Sequence, residues 1–171
     1  MPARQLRRRL AAMATVAALT FAGCASGSPQ TGATTFLDEH AAAAARVAAA
    51  AKTVQGEVSR LSSPPSRPQL GLLARSAGEA QRNLVQASEW NVAGQGEEGA
   101  EEEDVPRAET QVTEGAAELA DATSALQAYA RAPSAAALAR YESKLASGRT
   151  QWNEGIAQLW YLAHASHPPT V

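Results

Sequence analysis

The side chains able to do chemistry are few and scattered. The chain holds three histidines (His40, His164 and His167) and one cysteine, Cys24. His164 and His167 are three residues apart, so both imidazoles fall on one face if a helix runs that far. A zinc-type site takes three or four ligands, and His40 is the only further imidazole. In an up-down bundle the start of the first helix and the end of the fourth share one end, which makes the three histidines the best metal candidates in the chain. A metal-dependent enzyme at this place predicts a copurifying metal that His164→Ala removes. The plainer reading is a solvated terminus with His40 at the edge of a core, and no metal or cofactor is expected. Gly94-Gln95-Gly96-Glu97-Glu98-Gly99 fits G-x-G-x-x-G, but that pattern cradles a pyrophosphate only between a strand and a helix. Here it lies in an acidic stretch that repels phosphate. The acids of Glu97–Asp104 lack the ligand spacing of a calcium loop. The chain has no P-loop, no nucleophile elbow, no Ser-His-Asp or Cys-His set and no paired Glu-x-x-His of a di-iron bundle. It does not read as an enzyme.

The role of Cys24 follows from what precedes it. Residues 1–9 carry Arg4, Arg7, Arg8 and Arg9 and no acid, Leu10 to Gly23 has no charge at all, and the run ends Thr20-Phe21-Ala22-Gly23-Cys24. A basic start, a short apolar run and small residues before a cut make a signal peptide. The apolar run is shorter than the ~20 residues that cross a bilayer. The segment resembles the signal of bacterial lipoproteins, whose lipobox usually reads Leu-Ala-Gly-Cys. Phe21 stands here at its first position, and the resemblance covers residues 1–24 alone. It implies a diacylglycerol on the Cys24 sulfur and cleavage just before that residue. Two acyl chains anchor stably where one does not. The chain is then expected on the outer face of the bacterial cell membrane, anchored to the membrane without spanning it. An ordinary secretory signal with a chance cysteine is the competing reading. Arg7-Arg8-Arg9-Leu10 also fits twin-arginine export, which changes the route and not the destination.

Cleavage after residue 23 leaves 148 residues (171 less 23), the size of one domain. Four of the 15 basic residues leave with the signal, so 11 stand against 17 acids, a net −6. An exported, acidic domain is a poor nucleic-acid binder. One cysteine permits no disulfide within a monomer. Abundant alanine favours helix and makes a narrow core.

Residues 24–34 are small and polar and read as a flexible tether with an r.m.s. reach of about 18 Å. Thr35 offers an N-cap, with Asp38 three residues on. Apolar residues then recur at steps of three, four or seven in four stretches. Helix one is expected over 35–61, from Phe36 through Val47, Val54 and Val58 to Leu61. The Ser62–Pro68 segment, with three prolines, ends it. Helix two is expected over 69–90, on Leu70, Leu73, Ala77, Ala80, Leu84 and Ala87, closed by Trp90. Residues 91–104 form a Gly-rich acidic linker without periodicity. Helix three is expected over 105–131, with Asp104 as its cap and Pro106 in its first turn. Helix four is expected over 135–163, on Tyr141, Leu145, Gly148, Trp152, Gly155 and Leu159, before a tail at 166–171. The pattern predicts an all-α, antiparallel four-helix up-down bundle made of two helical hairpins, over 35–165. Alanine and glycine at inward positions should bring helices one and three close to their neighbours. A coiled-coil dimer of long hairpins satisfies the same stripes.

Two surfaces stand out in that topology. Phe36, Trp90, Trp160 and Tyr161 gather at the tethered end, where aromatic rings either cap the core or meet a membrane interface. Arg60, Arg67 and Arg131, with Arg75 and Arg140, lie towards the far end. They either balance helix C-termini or meet an envelope protein or an anionic envelope polymer. The function expected is a non-enzymatic interaction or structural module of the cell envelope. A carrier or sensor holding an apolar molecule between helices near Trp90, Trp152 and Trp160 is the competing class.

Overall fold

The computed structural model describes residues 31–90 and 104–171. These form four helices and no strand: α1 (Thr31–Ser59), α2 (Arg67–Ser88), α3 (Asp104–Arg131) and α4 (Ala135–Leu162). Each helix packs mainly on its neighbours in the chain, and α1 also touches α4, which closes a ring. The result is the expected all-α bundle of two hairpins. Residues 1–30, which include the segment expected to be a signal and Cys24, and the acidic residues 91–103 lie outside the described residues, as does the glycine pattern at 94–99.

The inward stripes are those the periodicity marks. Val47, Val54 and Val58 of α1 are buried with Leu73, Ala77, Ala80 and Leu84 of α2. Val112, Leu119 and Leu126 of α3 meet Tyr141, Trp152, Ile156 and Leu159 of α4 in the same core. Contact is most extensive between α3 and α4, then between α2 and α3, and least between α1 and α4. Glycine explains the first of these. A methyl group on Gly115 would stand 2.5 Å from the backbone nitrogen of Trp152, and one on Gly155 would stand 2.6 Å from the Ala108 carbonyl oxygen. One on Gly148 would stand 2.8 Å from the Leu119 nitrogen. The backbones of α3 and α4 therefore touch, which no larger residue at these places allows. Close approach was expected of helix one as well, and α1 does not achieve it. Much of its buried face is alanine, and its Phe36 and His40 rings pack on Trp90, just past the end of α2.

Local chemistry sets the ends. Ser66 caps α2: its hydroxyl accepts from the Gln69 N–H, and the Gln69 side chain in turn accepts from the Ser66 N–H at 2.9 Å. Gln69 Nε2 also donates to the Arg60 carbonyl at 3.0 Å, which ties the start of α2 to the end of α1. Pro68 thus falls in the first turn of α2, where its missing N–H costs nothing. The sequence reading placed it in the turn. Ser134 caps α4 by accepting from the Ala137 N–H at 3.2 Å. Trp90 lies just past the end of α2.

Helix α1 departs most from expectation. Thr35 is an exposed residue inside the helix, so it is no cap, and Thr31 to Thr34 are helical where a tether was expected. Packing supplies the reason. Ala33 is fully buried, and Gly32 sits so close to Val105 that an added methyl would stand 3.1 Å from its Cγ1. Burial against α3 extends the helix past the point where local signals begin it.

Candidate functional site

One end of the bundle gathers the ring systems. Phe36 and His40 are one turn apart on α1, with ring centroids 4.9 Å apart, edge to face. Trp90 lies flat on His40, at 4.5 Å and an interplanar angle of 9°. Trp90 also meets Phe36 edge-on at 5.7 Å and Trp152 of α4 at 6.1 Å. Four rings, from α1, α4 and the residue just past α2, thus make a continuous cluster. Burial holds the His40 imidazole below its ordinary basicity, and Glu39, 3.7 Å away, offsets this in part.

The C-terminal segment completes this end. Helix α4 closes with two hydrogen bonds, from Ala165 N to the Trp160 carbonyl at 2.9 Å and from His164 N to the Tyr161 carbonyl at 3.0 Å. This is a Schellman ending, and His164 takes its left-handed position with φ 53°. His167 has φ 63° and makes a second bend. The chain then runs back along α4 to residues 17 and 18 positions earlier. Trp152 Nε1 donates to the Pro169 carbonyl at 3.2 Å. The Asn153 amide takes both backbone groups of Val171: Val171 N donates to Asn153 Oδ1 at 2.9 Å, and Asn153 Nδ2 donates to the Val171 carbonyl at 3.2 Å. The Val171 side chain is only 5% exposed and belongs to the core. The tail at 166–171 is therefore a docked strap where the sequence suggested a frayed end. Among its residues, His167 and Ser166 are exposed. No spacing rule pointed to Asn153 or to a buried Val171.

The other sequence-selected residues fall as follows. Trp152 and Trp160 are buried, Trp90 is half-buried and Tyr161 is half exposed. Arg60, Arg67 and Arg131 are all exposed at the end that holds the two short turns, and Arg60 reaches Glu57 at 3.4 Å. His164 is exposed beyond α4, whereas His40 is engaged by Trp90 and Phe36. Among the described residues no group of three or more His, Cys, Asp or Glu side chains is placed to hold a metal ion. Among the described residues a groove of about 270 Å³ lies between Arg46, Ala50 and Thr53 of α1 and Ser76, Glu79 and Asn83 of α2. No tryptophan lines it, so it is not the inter-helix site near Trp90, Trp152 and Trp160 that an apolar carrier needs.

No protein family, no curated protein and no solved structure matches this chain.

Proposed function

We propose that the chain is a lipoprotein of the bacterial cell envelope: residues 1–23 direct its export, a lipid on Cys24 anchors it, and the helical bundle is a non-enzymatic interaction module. The observation that carries this reading is the run from Arg4 to Cys24, whose basic start, uncharged Leu10–Gly23 stretch and small residues before the sole cysteine fit a lipobox. Two features of the fold agree with it. Among the described residues no helix is long and apolar enough to cross a membrane. Helix α1 is already formed at Thr31, so residues 24–30 alone separate the lipid from the bundle. Seven residues span at most about 25 Å, which keeps the aromatic end of the bundle near the lipid surface. A helix of 28 residues is about 42 Å long, so Arg60, Arg67 and Arg131 face away from the membrane. There they suit an envelope protein or an anionic envelope polymer.

The test is fractionation and intact-mass analysis of the protein expressed in a bacterium from its whole gene, beside Cys24→Ser. Wild type should sediment with membranes and carry a lipid mass on Cys24, and the variant should do neither. A soluble wild type cut at another position sinks the anchor.

A further inference from the structure

We infer that the face of α4 bearing Trp152 and Asn153 is a receptor for an extended peptide segment of a partner protein, and that Pro168–Val171 is its built-in occupant, a strap that must leave before the partner docks. The inference rests on the described fold and not on the lipid anchor.

The first reason is the kind of contact. All three hydrogen bonds between α4 and the strap join α4 side chains to strap backbone: Trp152 Nε1 donates to the Pro169 carbonyl, Asn153 Nδ2 donates to the Val171 carbonyl, and Asn153 Oδ1 accepts from Val171 N. Backbone contacts at alternate residues, with a pocket for one side chain, are how proteins hold extended peptides whatever their exact sequence. The pocket here takes Val171, which is 5% exposed. Nothing that α4 recognises in the strap, apart from that aliphatic side chain, is peculiar to this chain.

The second reason is how the strap is attached. It joins α4 through His167, whose φ of 63° lies in the left-handed region that residues with side chains occupy at a cost. Release of the strap relieves that position, while the left-handed His164 belongs to the helix ending and stays. Pro168 and Pro169 have a fixed φ, so the segment surrenders little backbone freedom on docking. The third reason is what lies beneath. Strap removal bares the indole N–H of Trp152, whose ring packs on Trp90, which in turn covers His40. Occupancy of the seat thus bears on the cluster that joins α1, α2 and α4. The same chemistry defines the partner segment: extended, with proline two residues before a small β-branched aliphatic residue. The strap acts as a tethered competitor whose effective concentration is in the millimolar range.

The test uses the full chain with Val171→Asp, which expels the strap because a carboxylate is costly in an apolar seat. The probe is the peptide Ser-His-Pro-Pro-Thr-Val, followed through the Trp152 indole N–H resonance, assigned with Trp152→Phe. In Val171→Asp this resonance should shift and exchange faster with solvent, and the peptide should return it to the wild-type position. A peptide ending in Asp should have no effect, and wild type should bind the probe at least tenfold more weakly. Failure of millimolar peptide to bind Val171→Asp overturns the inference, as does equal binding to wild type. Loss of the helical circular dichroism in Val171→Asp would make the strap an indispensable part of the core and overturn it too. A concentration-dependent wild-type dimer that Val171→Asp abolishes would assign the seat to the tail of a second copy, against a partner peptide.

Discussion

At the scale of single residues, the glycines sort into those that permit packing and those that merely weaken a helix. Alanine in a helix interior is favoured over glycine by about 1 kcal/mol. At Gly115 that gain is overwhelmed, because the new methyl meets the nitrogen and Cα of Trp152 at 2.5 and 2.9 Å, and backbone cannot turn aside as a side chain can. Forcing an atom into a packed core costs about 1–3 kcal/mol. Gly115→Ala should therefore lower the urea midpoint with little change in slope. At Gly56 and Gly71 an added methyl meets nothing within 4 Å. Alanine at either place should raise the midpoint, through a gain in stability of up to about 1 kcal/mol. Equal effects at all three sites would refute the close contact of α3 and α4. His40 offers a pH-dependent counterpart. Its folded-state basicity is lowered, chiefly by burial, from an ordinary value of 6.5. The unfolded chain thus takes up a proton first as the pH falls, and stability present above 6.5 is lost as the pH drops through the lower folded value. The melting temperature should fall between pH 7.5 and pH 5. His40→Phe, which keeps a ring against Trp90 but cannot bind a proton, should fall less. An identical decline in both proteins would mean that other groups carry it.

At the scale of elements, the four helices are held unequally. The hairpin of α3 and α4 combines backbone contact at its glycines with Lys144 of α4, whose ammonium lies 2.9 Å from Glu118 and 3.6 Å from Asp121 of α3. Gln81 of α2 is tied to α3 by a hydrogen bond to Ser124 at 2.7 Å and by another from Gln127. Helix α1 has the least contact with the rest, and much of its buried face is alanine, which removes little apolar surface from water. Local opening is cheapest where buried contact is least. Hydrogen exchange should therefore release the amides of α1 first, and those around Gly115 and Trp152 last. Comparable protection in α1 and α3 would contradict this order. Much of this frame was legible in the sequence. The 3–4 spacing of Leu73, Ala77, Ala80 and Leu84 named the buried face of α2, and Val112, Leu119 and Leu126 did the same for α3. The Pro-rich and Ala132-Pro133 turns placed two helix ends within a few residues. What escaped depends on partners distant in the chain. Thr35 has the form of a cap, but the burial of Ala33 starts the helix earlier. Asn153 carries no signal in the spacing, because its partner, Val171, comes after the periodic pattern ends. The stack of His40 on Trp90 requires knowing that α1 and α2 are in register there, which spacing within one helix does not give.

At the scale of the whole molecule, the bundle is an axis with different chemistry at its two ends. The aromatic cluster and the strap occupy the end at which α1 begins, and the exposed arginines at the turns occupy the other. If Cys24 is lipidated, the lengths of the helices set these ends about 40 Å apart along the outward direction. Charge interactions are screened within about 8 Å at physiological ionic strength, so the far arginines act on whatever lies beyond the bundle and not on the lipid surface. Replacement of Arg60, Arg67 and Arg131 by Ser should thus weaken binding to purified anionic envelope polymer, with a flatter dependence on salt, while membrane association stays unchanged. The fold should tolerate the change. All three side chains are exposed, and only Arg131 lies in the last turn of a helix, where a cation is worth about 0.3–1 kcal/mol. A control set of Arg46, Arg82 and Arg107, also exposed but placed within α1 and α2 and in the first turn of α3, away from the two short turns, removes the same net charge. If binding depends on position, the far set should lower it and the control set should not. Equal losses would reduce the effect to net charge, and no loss from either set would turn attention to the strap end as the surface where this protein meets its partner.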